Sequence, residues 1–188
     1  MALVQLPWRG HFRASAVPIV WTAFSMPKIS KVTSDFSVAS ALSAEDFKQL
    51  ASLGLKTVIS FLPEREAASL SADQARRAAT DAGLHYVNIP SSKHEVFTDT
   101  VVLAAAAVLT SAEGPVLAHC VSGQRALIIW AAAQARQRPV SAILQQLRSA
   151  GFDFEFLRDD LEAQADRATW SGGLKLPAAG FQTLSAQT

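Results

Sequence analysis

Between residues 36 and 166, short apolar runs take turns with stretches whose apolar positions recur every three or four residues. The runs Phe36–Ser40, Thr57–Leu62, His85–Ile89 and Pro115–His119 have the length and content of strands. Ser43-Ala44-Glu45-Asp46 carries a capping-box pattern, with Phe47, Leu50 and Leu53 on one helical face and Gly54 as the stop. Ser71-Ala72-Asp73-Gln74 opens a second helix of this kind, which Gly83 ends. Thr98 stands at the cap position of an Ala- and Val-rich helix over Asp99–Leu109. Helical spacing returns after Arg125, again from Pro139 to Gly151 with Ile143, Leu144 and Leu147 inward, and again over roughly 155–166. This alternation predicts an α/β fold built on a central, mainly parallel sheet flanked by helices. In such a sheet the ligand site lies beyond the carboxyl ends of the strands. The Pro63–Glu66 loop, the Pro90–Phe97 loop and Cys120 all fall at that edge.

The candidate chemistry is concentrated in PVLAHCVSGQRALIIW, residues 115–130. A buried strand ends at His119, Cys120 follows, and a helix opens at Arg125. Backbone N–H groups at a helix start have no acceptor within the helix and point at a sulfur or an anion placed there. The positive end of the helix favours the thiolate. Gly123 lets the loop Val121-Ser122-Gly123-Gln124-Arg125 curl closely around an oxyanion. Arg125 can fork onto two of its oxygens. The pattern is that of a thiolate nucleophile in an anion cradle, with a small anionic substrate as its partner. The competing reading is a buried structural cysteine at a strand end.

Composition narrows the remaining possibilities. At 188 residues with 49% hydrophobic and 18% charged positions, the chain can bury one full core. A net charge of +1 and the absence of a clustered Lys/Arg face argue against nucleic acid as a partner. A single cysteine excludes an intrachain disulfide and a cysteine-rich metal site, and His11, His85, His94 and His119 lack metal-ligand spacing. No metal and no cofactor are therefore expected. A lone thiol suits a reducing compartment, so a cytoplasmic location is expected. No apolar run approaches the length of a membrane span. Residues 1–25 hold Arg9 and Arg13 but no acid, and Met26-Pro27-Lys28-Ile29 resembles a natural start. They are read as a poorly ordered extension, not as a targeting signal. The domain is expected over residues 26–168. Residues 169–188, rich in Gly, Pro, Ala and Ser, are read as a loosely held tail.

From about Lys31 to Leu161 the chain resembles the phosphatase-like domain family of beta-lactamase hydrolase-like proteins, members of which are also labelled sulfur transferases. The resemblance runs in order through SVAS, AEDFKQLASLGLKTVISFLPERE, AGLHYVNIP, GPVLAHCVSGQRA and LRSAGFD. It implies a fold similar to the dual-specificity tyrosine phosphatases, with a parallel sheet of four or five strands. It also implies that Cys120 is the nucleophile, that Arg125 is the anion clamp, and that His119 is the histidine preceding the phosphatase cysteine. Two departures stand out. Four residues separate Cys120 from Arg125 where the tyrosine phosphatases have five, a spacing typical of the family named above and shared with many rhodaneses. Ala126 stands where the family usually has a serine, whose hydroxyl helps the thiolate leave the phosphoenzyme.

A phosphatase also needs a carboxylic acid to protonate the leaving oxygen. By resemblance it belongs about thirty residues before the cysteine, near Ile89 and Pro90. The nearest acids are Glu95, the better candidate, and Asp99, which suits a helix start. His119 either joins an imidazole network that favours the thiolate or hydrogen-bonds the backbone at a strand end. Arg65 either adds positive potential or pairs with Glu64 or Glu66. Three functions follow. In a cysteine-dependent phosphatase-like hydrolase, Cys120 forms a cysteinyl-phosphate. In a rhodanese-like sulfurtransferase it carries a persulfide. The third possibility is a non-catalytic phosphate- or sulfate-binding module.

Overall fold

The computed structural model describes residues 29–66 and 70–173. Five strands form one sheet: β1 (Ile29–Lys31), β2 (Phe36–Ala39), β3 (Thr57–Ser60), β4 (His85–Asn88) and β5 (Val116–His119). Their order is β1-β2-β5-β3-β4, so the strand latest in sequence lies at the centre. β2, β5, β3 and β4 run parallel, and β1 pairs antiparallel with β2 at one edge. The four parallel strands match the apolar runs of the sequence, and the sheet is mainly parallel as expected. β1 was not foreseen: Ile29-Ser30-Lys31 is too short to show a period, and its pairing with β2 is what makes it a strand.

Among the described residues six helices cover the two faces: α1 (Ala44–Ser52), α2 (Ala72–Asp81), α3 (Asp99–Ser111), α4 (Gln124–Ala135), α5 (Val140–Ser149) and α6 (Arg158–Gly173). Side chains alternate between the faces along each strand. Phe36, Val38, Ile59, Val116 and Ala118 therefore point to the larger core with α3 to α6. Ala39, Val58 and Leu117 point to the smaller core with α1 and α2. α4 is buried nearly all round, and Trp130 stacks on Phe36 with ring centroids 5.1 Å apart. α2 starts as its capping box requires: the Ser71 N–H donates to Gln74 Oε1 at 2.9 Å and the Gln74 N–H to Ser71 Oγ at 3.2 Å. Thr98 occupies the cap position of α3, but its hydroxyl donates to the Glu95 carbonyl at 2.8 Å. The last helix is preceded by a short 3-10 turn, Glu155–Leu157, and continues to Gly173, past the residue-166 end expected for it.

The extension read at residues 1–25 lies outside the described residues, as do residues 174–188 of the expected tail. Among the described residues no helix is long and apolar enough to cross a membrane, and no cluster of His, Cys, Asp or Glu could hold a metal ion.

Candidate active site

The site forms where β5 runs out at the centre of the sheet. Cys120 follows β5 directly and is 2% exposed. The chain then turns through Val121 and Ser122 into Gly123, the N-cap of α4, with φ +88°. An L-residue rarely adopts that φ, and a Cβ on Gly123 would also sit 3.2 Å from the Ala39 carbonyl oxygen. Glycine is thus required twice over. The tight turn brings the Gly123 N–H to 3.2 Å from Cys120 Sγ. The N–H groups of Gln124, Arg125 and Ala126 open α4 and have no acceptor within the helix. The loop Val121–Arg125 thus sets one N–H donor against the sulfur at the positive end of a twelve-residue helix.

Arg125 is 14% exposed and held from two sides. Its Nη1 donates to the Phe61 carbonyl at 3.0 Å and its Nη2 to Glu66 Oε2 at 2.7 Å. Nε is buried and has no acceptor among the described residues. A guanidinium has five N–H donors, so this tether leaves several for an anion. Glu66 is the site residue that the sequence reading missed. The parallel register pairs Ser60 with His119, and Glu66 follows Ser60 by six residues as Arg125 follows His119 by six. Placing β3 next to β5 is enough to bring the two side chains together. Glu66, one of the two acids considered as a partner of Arg65, pairs with Arg125.

His119 and Cys120 lie on opposite sides of the sheet. Cys120 belongs to the α3–α6 core, whereas the His119 ring is buried against the α1/α2 side, beside Ser60, Tyr86 and Asn88. Neither ring nitrogen has a partner among the described residues, so the backbone bond considered for it is not formed. Burial pushes the His119 pKa down from 6.5 to about 4, and the ring is neutral at pH 7. As the pH falls, the unfolded chain takes up this proton first and the native state resists it. Stability is therefore highest above pH 6.5 and falls on the way to pH 4, by on the order of 3 kcal/mol in all. His119→Gln is expected to flatten the melting temperature between pH 7 and pH 5, where carboxylates contribute little. An unchanged slope in the variant would place the proton uptake elsewhere.

Glu95 is exposed and caps its own loop. The Ser92 N–H donates to Glu95 Oε2 at 2.7 Å, and that bond, with the Ser92 hydroxyl and the nearby Arg65, holds the carboxyl below the usual carboxylate range. A general acid needs the opposite shift. Asp99 is engaged as well. It pairs with Arg136 from the end of α4 and with Arg167 of α6, and the Arg136 bond first of all lowers its pKa. Gln164, fully buried, donates to the Phe97 carbonyl at 2.9 Å and anchors the same loop to α6.

Comparison with known proteins places this geometry. A model of the phosphatase-like domain of beta-lactamase hydrolase-like proteins matches residues 28–137. The beta-lactamase hydrolase-like protein of Agrobacterium fabrum is 29% identical over 157 residues, 77% of this chain and 36% of that protein. The chain thus spans little more than a third of that relative's length. Among solved structures, a candidate phosphatase from Neisseria meningitidis is 27% identical, with a TM-score of 0.62 over 72% of this chain and 97% of that one. The core catalytic domain of a PP-IP phosphatase from S. cerevisiae, in complex with citrate, shares the fold at 19% identity and a TM-score of 0.53, over 79% of this chain and 96% of that one. The family match covers more than half of the chain, and the chain belongs to the phosphatase-like domain family of beta-lactamase hydrolase-like proteins.

Proposed function

We propose that the protein is a cysteine-dependent phosphatase-like hydrolase acting on a small anionic phosphoester. The observation that carries this reading is the opening turn of α4. There the Gly123 N–H meets Cys120 Sγ, and the guanidinium of Arg125 is tethered with donors to spare. In the first step the Cys120 thiolate attacks phosphorus and the phosphorus–oxygen bond breaks, the organic group leaving as an alkoxide or aryloxide that takes its proton from solvent. The three non-bridging oxygens are held by the loop N–H groups and Arg125, whose charge matches the charge of the transition state. In the second step water attacks phosphorus, the phosphorus–sulfur bond breaks, and phosphate and the thiolate are regenerated.

One observation favours a second reading, sulfur transfer through a Cys120 persulfide. Glu95 is an ionised loop cap and is poorly suited to protonate an alkoxide. A sulfur donor such as thiosulfate releases sulfite, which leaves as an anion without a proton. Intact-protein mass spectrometry separates the two chemistries. Incubation with an aryl phosphate is expected to add one phosphoryl group transiently. Addition of one sulfur from thiosulfate, with no phosphoryl adduct, would overturn the hydrolase reading. Glu95→Gln is expected to change turnover of alkyl and aryl phosphates by less than about threefold, because the parent carboxylate holds no proton to give. A loss on the order of 10²–10⁴-fold confined to alkyl phosphates would make Glu95 the acid after all.

A further inference from the structure

The carboxyl ends of β4, β3 and β5 carry a row of polar side chains on the α1/α2 face. Ser60 stands in register with Asn88 on one side and with His119 on the other. Tyr86, two residues before Asn88, lies on the same face. These four side chains border a small pocket of about 20 Å³, with Leu42 and Leu70 among the apolar groups around it. No charged side chain lines it. Ser60 is already engaged: its oxygen accepts the Leu62 N–H at 3.3 Å, and its hydroxyl pairs with Tyr86. Asn88 Oδ1 and both nitrogens of His119 are buried without partners among the described residues. Buried polar atoms left in that state cost about 1–3 kcal/mol each. A water needs roughly 10–15 Å³ by the same measure of volume, and two to four polar partners. Space and partners coincide here.

We propose that His119 and Asn88 hold a single buried water in this pocket, and that the water ties the ends of β4 and β5 together beneath the catalytic loop. The water donates a hydrogen to Asn88 Oδ1 and accepts the one N–H of the neutral His119 ring, with the Ser60 and Tyr86 oxygens bordering the same space. It thereby selects which ring nitrogen carries the proton. His119 acts on Cys120 only through the chain: its carbonyl accepts the Phe61 N–H at 2.9 Å, and Cys120 is the next residue. It is a positioning residue, on the opposite side of the sheet from the sulfur.

Near-atomic-resolution diffraction from crystals of the full chain at neutral pH tests the site directly. One ordered water within hydrogen-bond distance of a His119 nitrogen and Asn88 Oδ1 is expected, and ¹⁵N resonances of the ring should report a single neutral tautomer. Asn88→Leu keeps the branched skeleton, fills part of the pocket and removes the acceptor, so it is expected to expel the water and shift His119 to a mixture of tautomers. A pocket without water, a direct bond between the ring and the amide, or an unchanged tautomer in the variant would each overturn the proposal. Should the variant not fold, diffraction and ¹⁵N resonances of the parent chain still decide it.

Discussion

Cys120→Ser is expected to fold as the parent does and to lose turnover by a factor on the order of 10⁴–10⁶. Serine is slightly smaller than cysteine, and its oxygen can still accept the Gly123 N–H that now lies 3.2 Å from Sγ. The site is 2% exposed, so the change leaves no large cavity and strands no donor. A serine hydroxyl at a helix start stays protonated at neutral pH, and His119 faces the other side of the sheet and cannot remove the proton. Initial rates on an aryl phosphate, read beside the melting temperature, give the result. Retention of more than about 1% of the parent rate at unchanged stability would move the nucleophile away from Cys120.

Arg125→Lys is the second large effect. Lysine keeps the charge and gives up the planar fork that now reaches the Phe61 carbonyl and Glu66 together. One ammonium cannot satisfy both and still face a tetrahedral anion. Binding of tungstate is expected to weaken by about 1.5–3 kcal/mol, roughly 10- to 150-fold. Protection of Cys120 from iodoacetamide by increasing tungstate measures it. Equal protection in parent and variant would show that Arg125 does not touch the anion. Glu66 marks the difference between this clamp and a free surface arginine: it fixes the guanidinium before any ligand arrives, which reduces the ordering needed on binding.

Most of this architecture is written in local patterns. Thr57–Ser60 and Val116–His119 are apolar enough to be recognised as strands buried on both faces, and the helix starts at Ser43 and Ser71 declare themselves through their capping residues. The placement of Cys120, Gly123 and Arg125 at one strand-to-helix turn was legible because such a turn is itself local. The Glu66–Arg125 pair was not, since the two residues are far apart in sequence and meet only when β3 lies beside β5. The role of Glu95 was hidden for a related reason. A carboxylate in a polar loop reads as a proton donor until the Ser92 N–H is seen to hold it ionised. The placement of His119 was available in principle: adjacent residues at a strand end face opposite ways, and one of the two had to leave the cysteine's side.

The central position of β5 also bears on how the molecule comes into being. β1 with β2, and β3 with β4, are complete before Val116 is added to a growing chain, and neither pair touches the other within the sheet. Each then presents open edges, and only the strand that leads into Cys120 can join them. Closing the sheet and assembling the anion loop are accordingly one event. No fragment ending before Val116 contains the loop proposed to hold the anion, and Cys120 is withdrawn from solvent in that same step.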